Sequence, residues 1–237
     1  MTRRRWIADE FDDHRAAISG ENAAHLARVL RARAGQEFDI AAGDTVRRGR
    51  VLSVSRERVE FELGDEVPVN PLPDLVLLVS IFKFDRMDWV VEKATELGCS
   101  KIVMLVAGRS AVHLAQAAEK RVERWRRLAH AAAQQARRVA PPEISGPVAL
   151  HEALGGPCGA GIVLAEFPGV APLKEVLREG GAAAGVALAV GPEGGWTAGE
   201  MKLFGDAGWR PASLGENILR AETAAIAALA IVVSEIL

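Results

Sequence analysis

The chain has 237 residues, 49% hydrophobic and 25% charged, the composition of a soluble globular protein with length for one large domain or two small ones. Its formal net charge of −2 argues against a protein that coats nucleic acid indiscriminately. Cys99 and Cys158 are the sole cysteines and form no CxxC pair, so neither a disulfide framework nor a zinc site is supported. The basic start Met1–Arg5 runs into acidic Asp9–Asp13 instead of an apolar core, so no signal peptide is read. The longest uncharged apolar run, Thr223–Val233, is too short to span a bilayer. A cytoplasmic location follows as the expectation.

Residues 1–64 predict a small β-rich unit with one helix. Phe38–Ala41, Val46–Ser55 and Arg58–Leu63 are strand-like runs separated by turn residues. Glu21–Arg31 predicts a helix with Ala24, Leu26, Ala27 and Leu30 on its apolar side. Arg28, Arg31 and Arg33 lie on or just past it, and a solvated helix face accounts for them without any function. Asp65–Asp74 holds three prolines and little periodicity, which marks a domain boundary. The division expected is 1–70 and 71–237.

From Leu75 the pattern becomes alternating strand and helix, which implies a parallel sheet. Leu75–Ile81, Lys101–Val106, Ile162–Ala165, Val186–Val190 and Pro211–Leu214 are the strands; Phe84–Leu97 is the first helix, closed by Gly98. Glu222–Leu237 is apolar on nearly every face and predicts a buried helix. Charge is concentrated in one place: residues 120–138 sum to +6 within a chain whose remaining segments are near neutral or acidic. A local footprint for a polyanion fits that distribution. The helix expected there, Lys120–Val139, carries Arg124, Arg127, Arg137 and Arg138, and for one of the last two the helix macrodipole is by itself a sufficient explanation.

The stretch most loaded with chemistry is Ala189–Glu200, AVGPEGGWTAGE. A buried strand enters a turn at Gly191, Gly194 and Gly195, where backbone without Cβ can approach a ligand. Thr197 with Glu200 forms the signature of a capping box, so a helix begins at once. Strand, glycine turn and helix start is how an α/β sheet presents backbone N–H groups to a small molecule. No Lys-Ser/Thr follows as in a P-loop, and the spacing is not GxGxxG. Phe82–Asp85, after the first α/β strand, has no glycine either, which ranks a dinucleotide-binding oxidoreductase low. Leu214-Gly215 repeats the strand-to-turn step before Arg220 and Glu222, so two strand ends can wall one crevice. His14, His113, His130 and His151 lack ligand spacing, and no metal is expected.

GPEGG at Gly191–Gly195 followed by LGENILRAETA at Leu214–Ala224 resembles the ribosomal small-subunit RNA methyltransferase E family, within the SPOUT superfamily. The resemblance extends to HLARVLR at His25–Arg31, to Lys83, and to KATELG at Lys93–Gly98. It implies a knotted α/β methyltransferase domain behind a small PUA-like β-barrel. It also implies a homodimer that uses S-adenosylmethionine to methylate uridine N3 in 16S rRNA of the small ribosomal subunit. For the cofactor it points to Leu164, Glu166, Gly191, Glu193, Gly194, Gly195, Leu214, Gly215, Ile218 and Leu219. For RNA it points to Arg28, Arg31 and Lys83, to which the charge of the 120–138 segment adds Arg124 and Arg127, and for catalysis it points to Arg109 and Arg138. Gln134 stands where the family carries an acid, so no proton acceptor is assigned there. The alternatives are an RNA-binding protein that keeps this fold without catalysis, and a methyltransferase of the same superfamily that acts on a different rRNA or tRNA position.

Overall fold

The computed structural model describes residues 5–69, 74–155, 159–180 and 185–236. Residues 70–73 of the expected boundary, and Cys158, lie outside them. The chain divides into two compact units, Met1–Pro71 with Ala133–Pro141, and Leu72–Ala132 with Pro142–Leu237. Residues 133–141 thus pack with the first unit although they follow the boundary in the chain.

The first unit is built from β1 (Arg5–Ile7), β2 (Glu10–Phe11), β3 (Arg15–Ser19), α1 (Gly20–Arg28), β4 (Glu37–Ala42), β5 (Thr45–Val54) and β6 (Arg58–Glu66). Their order in the sheet is β1-β4-β5-β6-β3-β2, antiparallel except for β1 beside β4. The two outermost strands are consecutive in sequence. Ala8 N–H continues the β1–β4 ladder by donating to Ala41 O, and Asp9 N–H continues β2–β3 by donating to Ala17 O, both at 2.9 Å. Successive residues therefore join opposite edges, and the sheet curls into a barrel whose two edge strands meet at Ala8–Asp9. Ile18, Leu26, Ile40, Val59 and Phe61 fill its interior.

Helix α1 stops three residues short of the expected Arg31. Arg31 takes a left-handed conformation (φ 52°), and Ala32 N–H reaches back to Leu26 O at 3.0 Å, which closes the helix end. Gly49, opposite Phe38 on β4, has no room for a side chain: a Cβ there would sit 2.2 Å from Ile40 Cγ1. Gly49→Ala is expected to destabilise the barrel by about 1–3 kcal/mol through overpacking, read from the urea unfolding midpoint.

The second unit contains β7 (Leu75–Ser80), α2 (Phe84–Glu96), β8 (Lys101–Val106), α3 (Val112–Ala118), most of α4 (Val122–Gln135), β9 (Glu143–Ala149), α5 (Leu150–Ala153), β10 (Ala160–Leu164), α6 (Leu173–Gly180), β11 (Val186–Val190), α7 (Ala198–Asp206), β12 (Arg210–Ala212) and α8 (Ala221–Ile236). Six parallel strands lie in the order β12-β10-β11-β7-β8-β9. One face packs Val79, Ile102 and Leu188 with Met87 and Val90 of α2 and Ala225, Leu229 and Val232 of α8. The other packs Leu78, Val103 and Ala187 with Leu150 of α5 and Phe204 of α7. Central strands buried on both sides explain the unbroken apolar runs in the sequence.

The basic helix is shorter than Lys120–Val139. A 3-10 turn, Glu119–Arg121, precedes it, and α4 ends at Gln135. Arg137 is left-handed (φ 56°) and Arg138 N–H donates to Ala133 O at 2.9 Å, so both arginines lie past the last helical turn.

Candidate active site

Strand β11 is buried along its whole length and delivers the chain to the Gly191–Gly195 turn at its C-terminal end. Gly195 is left-handed (φ 69°) and its N–H donates to Pro192 O at 2.8 Å, a tight turn that glycine adopts without strain. The predicted capping box is present and starts α7. Glu200 Oε2 accepts from Thr197 N–H (2.7 Å) and from Thr197 Oγ1 (2.8 Å). Glu200 N–H in turn donates to Thr197 Oγ1 at 3.2 Å.

Beside this turn lies a cleft of about 410 Å³, within the size range of small-molecule sites. Its walls are the ends of β10 and β11, the glycine turn, and the approach to α8. Leu164, Glu166, Gly191, Glu193, Gly194, Gly195, Ile218 and Leu219 all line it. Leu214 and Gly215 do not: Leu214 packs against the main core, and Gly215 is left-handed (φ 109°). Trp196 is a wall residue not singled out in the sequence. Its indole N–H donates to Leu164 O at 3.0 Å, its ring meets Phe204 edge-on at 4.9 Å, and a Cβ on Gly191 would come 3.1 Å from it. Ile218 is 84% exposed and Phe167 48%, so apolar surface faces solvent in the wall, as a ligand pocket requires.

A second loop is interlocked with the first. Gly108 N–H donates to Glu200 Oε1 at 2.7 Å, so one buried carboxylate serves both the capping box and the chain after β8. The next residue returns the contact: Arg109 Nη1 donates to Gly194 O at 2.7 Å and to Trp196 O at 3.3 Å. Arg109 is exposed but its guanidinium is anchored on the backbone of the glycine turn. Ser110 Oγ accepts from Ala107 N–H at 3.2 Å, which closes the loop on itself.

Arg86, on the first turn of α2, is also absent from the sequence reading. Its Nη1 donates to Glu193 Oε1 at 2.7 Å, and its Nε lies 3.4 Å from Oε1 of buried Glu222. A lone arginine in an amphipathic helix carries no motif, so only the fold brings it to the glycine turn.

Lys83 is exposed immediately before α2, and Arg127 is exposed on α4. Arg124 holds Asp88 through Nε (2.9 Å) and Nη2 (2.7 Å), and this hydrogen bond raises its pKa above the ordinary arginine value. Asp88 also accepts Trp125 Nε1–H at 2.9 Å, so Arg124 is part of a structural knot of side chains. Arg28 and Arg31 are exposed on the first unit at and after the end of α1. Arg138 and Gln134 belong to the first unit. There Gln134 Oε1 accepts the Ile7 N–H at 2.8 Å, which gives that side chain a role in holding β1. Among the described residues no cluster of His, Cys, Asp or Glu is arranged to hold a metal, and no helix is long and apolar enough to cross a membrane.

Residues 68–233 match the family model of an RNA methyltransferase domain, and residues 18–64 that of an RNA methyltransferase PUA domain. A ribosomal RNA small subunit methyltransferase E from Synechocystis is 31% identical over 211 residues, 87% of this chain and 68% of the relative. That of Aquifex aeolicus is 30% identical over 210 residues, covering 87% and 89%. Among solved structures, ribosomal RNA small subunit methyltransferase E from Neisseria gonorrhoeae bound to S-adenosyl methionine matches with a TM-score of 0.80 at 26% identity, over 96% of this chain and 95% of that one.

Proposed function

The chain belongs to the ribosomal RNA small subunit methyltransferase E family, and we propose that it methylates N3 of a uridine in 16S rRNA with S-adenosylmethionine as methyl donor. The observation that carries this reading is the cleft at the ends of β10 and β11. The residues present suit the cofactor. Leu164, Ile218 and Leu219 offer apolar surface to an adenine. Backbone at Gly191–Gly195 offers close approach without Cβ atoms, and Glu166 is an exposed carboxylate in the wall, suited to ribose hydroxyls. When bound, the cofactor supplies an electrophilic methyl group on a positively charged sulfur.

The chain's own task is to make a poor nucleophile usable. Uracil N3–H is a weak acid, and as its proton leaves, negative charge spreads to O2 and O4. A guanidinium held in advance stabilises that charge without reorganising. Arg109 fits the requirement, because two backbone carbonyls fix its Nη1 at the glycine turn. Arg138 is the second proposed guanidinium, on the family resemblance. Gln134 supports the active reading: its bond to Ile7 N–H is one that an amide performs as well as a carboxylate, so the missing acid need not disable the site. Holding base and cofactor together contributes much of the remaining rate, and the base must be unstacked to enter.

Arg28, Arg31, Lys83 and Arg127 are proposed to contact phosphates, which gives affinity without sequence readout; Arg124 joins them only through the N–H groups that Asp88 leaves over. The substrate is proposed to be the assembled small subunit, and the enzyme a cytoplasmic homodimer with a knotted second domain. Small subunits lacking the modification, incubated with the protein and isotopically labelled cofactor, test the proposal by nucleoside mass spectrometry. Labelled 3-methyluridine is the expected product. Unlabelled RNA despite saturable cofactor binding would favour RNA binding alone.

A further inference from the structure

Two carboxylates converge on Arg86, and the chemistry above gives the arginine no task. Glu222, in the first turn of α8, has a side chain only 5% exposed, and a buried carboxylate is costly without a counter-charge. Arg86 supplies it from 3.4 Å. Glu222 Oε2 has no hydrogen-bond partner among the described residues, so the carboxylate depends on that arginine. Arg86 is thereby the fixed member of the cluster, itself 22% exposed.

Glu193 is the adjustable member. Its side chain is 55% exposed, and it sits within the glycine turn, which Gly195 N–H closes by donating to Pro192 O. Its carboxylate lies 2.7 Å from Arg86 Nη1 although the residue lines the cleft. Charge-assisted bonds of this length are among the stronger ones, and here one spans from α2 to the turn. Arg109 grips the same turn one residue later, at Gly194 O, from the other loop. The turn is thus held from two sides by arginines, and the Arg86 grip is the one that terminates in a buried charge.

We propose that Arg86 is a positioning residue that, anchored by Glu222, holds Glu193 and so fixes the glycine turn in the shape that forms the cofactor wall. Glu193 then acts through Arg86 and not by touching the cofactor. The inference rests on the cofactor reading of the cleft for its purpose, but not for its mechanics.

The test has a readout without ligand. Hydrogen–deuterium exchange of the cofactor-free protein is followed at the Gly195 amide for wild type, Glu193→Ala, Arg86→Lys and the double variant. Calorimetric titration with S-adenosylmethionine runs alongside. Glu193→Ala is expected to speed exchange at Gly195 by about three- to fivefold, the scale of a half-exposed ion pair, with α8 amides unchanged. The dissociation constant is expected to rise by a similar factor. Lysine cannot reproduce the two-sided fork of arginine, so Arg86→Lys is expected to loosen the turn to the same degree. The double variant is expected to be no looser than either single one, as for residues acting as one unit. Wild-type exchange in Glu193→Ala, or effects that multiply in the double variant, would overturn the latch. Faster exchange with unchanged affinity would overturn its role in cofactor binding. Absence of binding by the wild type would sink the cofactor reading, while exchange still decides whether Arg86 holds the turn.

Discussion

Replacing Arg109 with alanine is expected to lower single-turnover methyl transfer to small subunits by about 10²- to 10³-fold, the scale of losing one preorganised donor. Two effects contribute, and they separate in the measurement. In the role proposed for it, the guanidinium stabilises charge developing on the base, and its loss then appears in the rate at saturating cofactor. It also braces Gly194 and Trp196 through their carbonyls, which appears in cofactor affinity. Arg109→Lys keeps a positive charge but loses the planar fork, so it is expected to recover part of the rate and little of the bracing. An Arg109→Ala rate within about threefold of wild type would remove this residue from the chemistry and leave it as a brace.

The second large effect concerns stability. Trp125→Ala is expected to cost about 3–5 kcal/mol, lowering the thermal midpoint of the second unit by about 10 °C. Trp125 is fully buried and meets Phe84 edge-on at 6.0 Å. Its removal leaves a void under α2 and α4, and Asp88 Oδ1 loses the indole N–H. Asp88 keeps Arg124, so the charge is not stranded. Trp125→Phe is expected to fall between wild type and alanine, because it restores volume without the hydrogen bond. A loss below about 1 kcal/mol, small for a buried aromatic, would mean that neighbouring side chains close the void.

Strands Lys101–Val106 and Val186–Val190 were legible to the residue, because the apolar runs Ile102–Val106 and Val186–Val190 fit a strand covered on both faces. The Thr197–Glu200 box was legible too, since its spacing is its mechanism. Strand β9, EISGPVA, was not: glycine and proline inside it speak against a strand, and pairing with β8 overrides that preference. The short strands β1 and β2 have too few residues to show a period, and the sheet order is a property of tertiary pairing. Of the site, the glycine turn announced itself through its composition. Trp196 and Arg86 did not, because each acquires its role from a neighbour more than 30 residues away in the chain.

The membership of residues 133–141 in the first unit has a consequence for biosynthesis. Ala133 is fully buried beside Ile7, Ala41 and Val46, and Gln134 closes the backbone of β1. When residue 71 leaves the ribosome, this cover over the outer face of β1, β4 and β5 does not yet exist. It emerges roughly sixty residues later, several seconds at ordinary elongation rates. The N-terminal unit must therefore wait, with an apolar seat open to solvent, while the first strands of the parallel sheet are being made. Vectorial synthesis does not finish the domains of this protein in the order in which they begin.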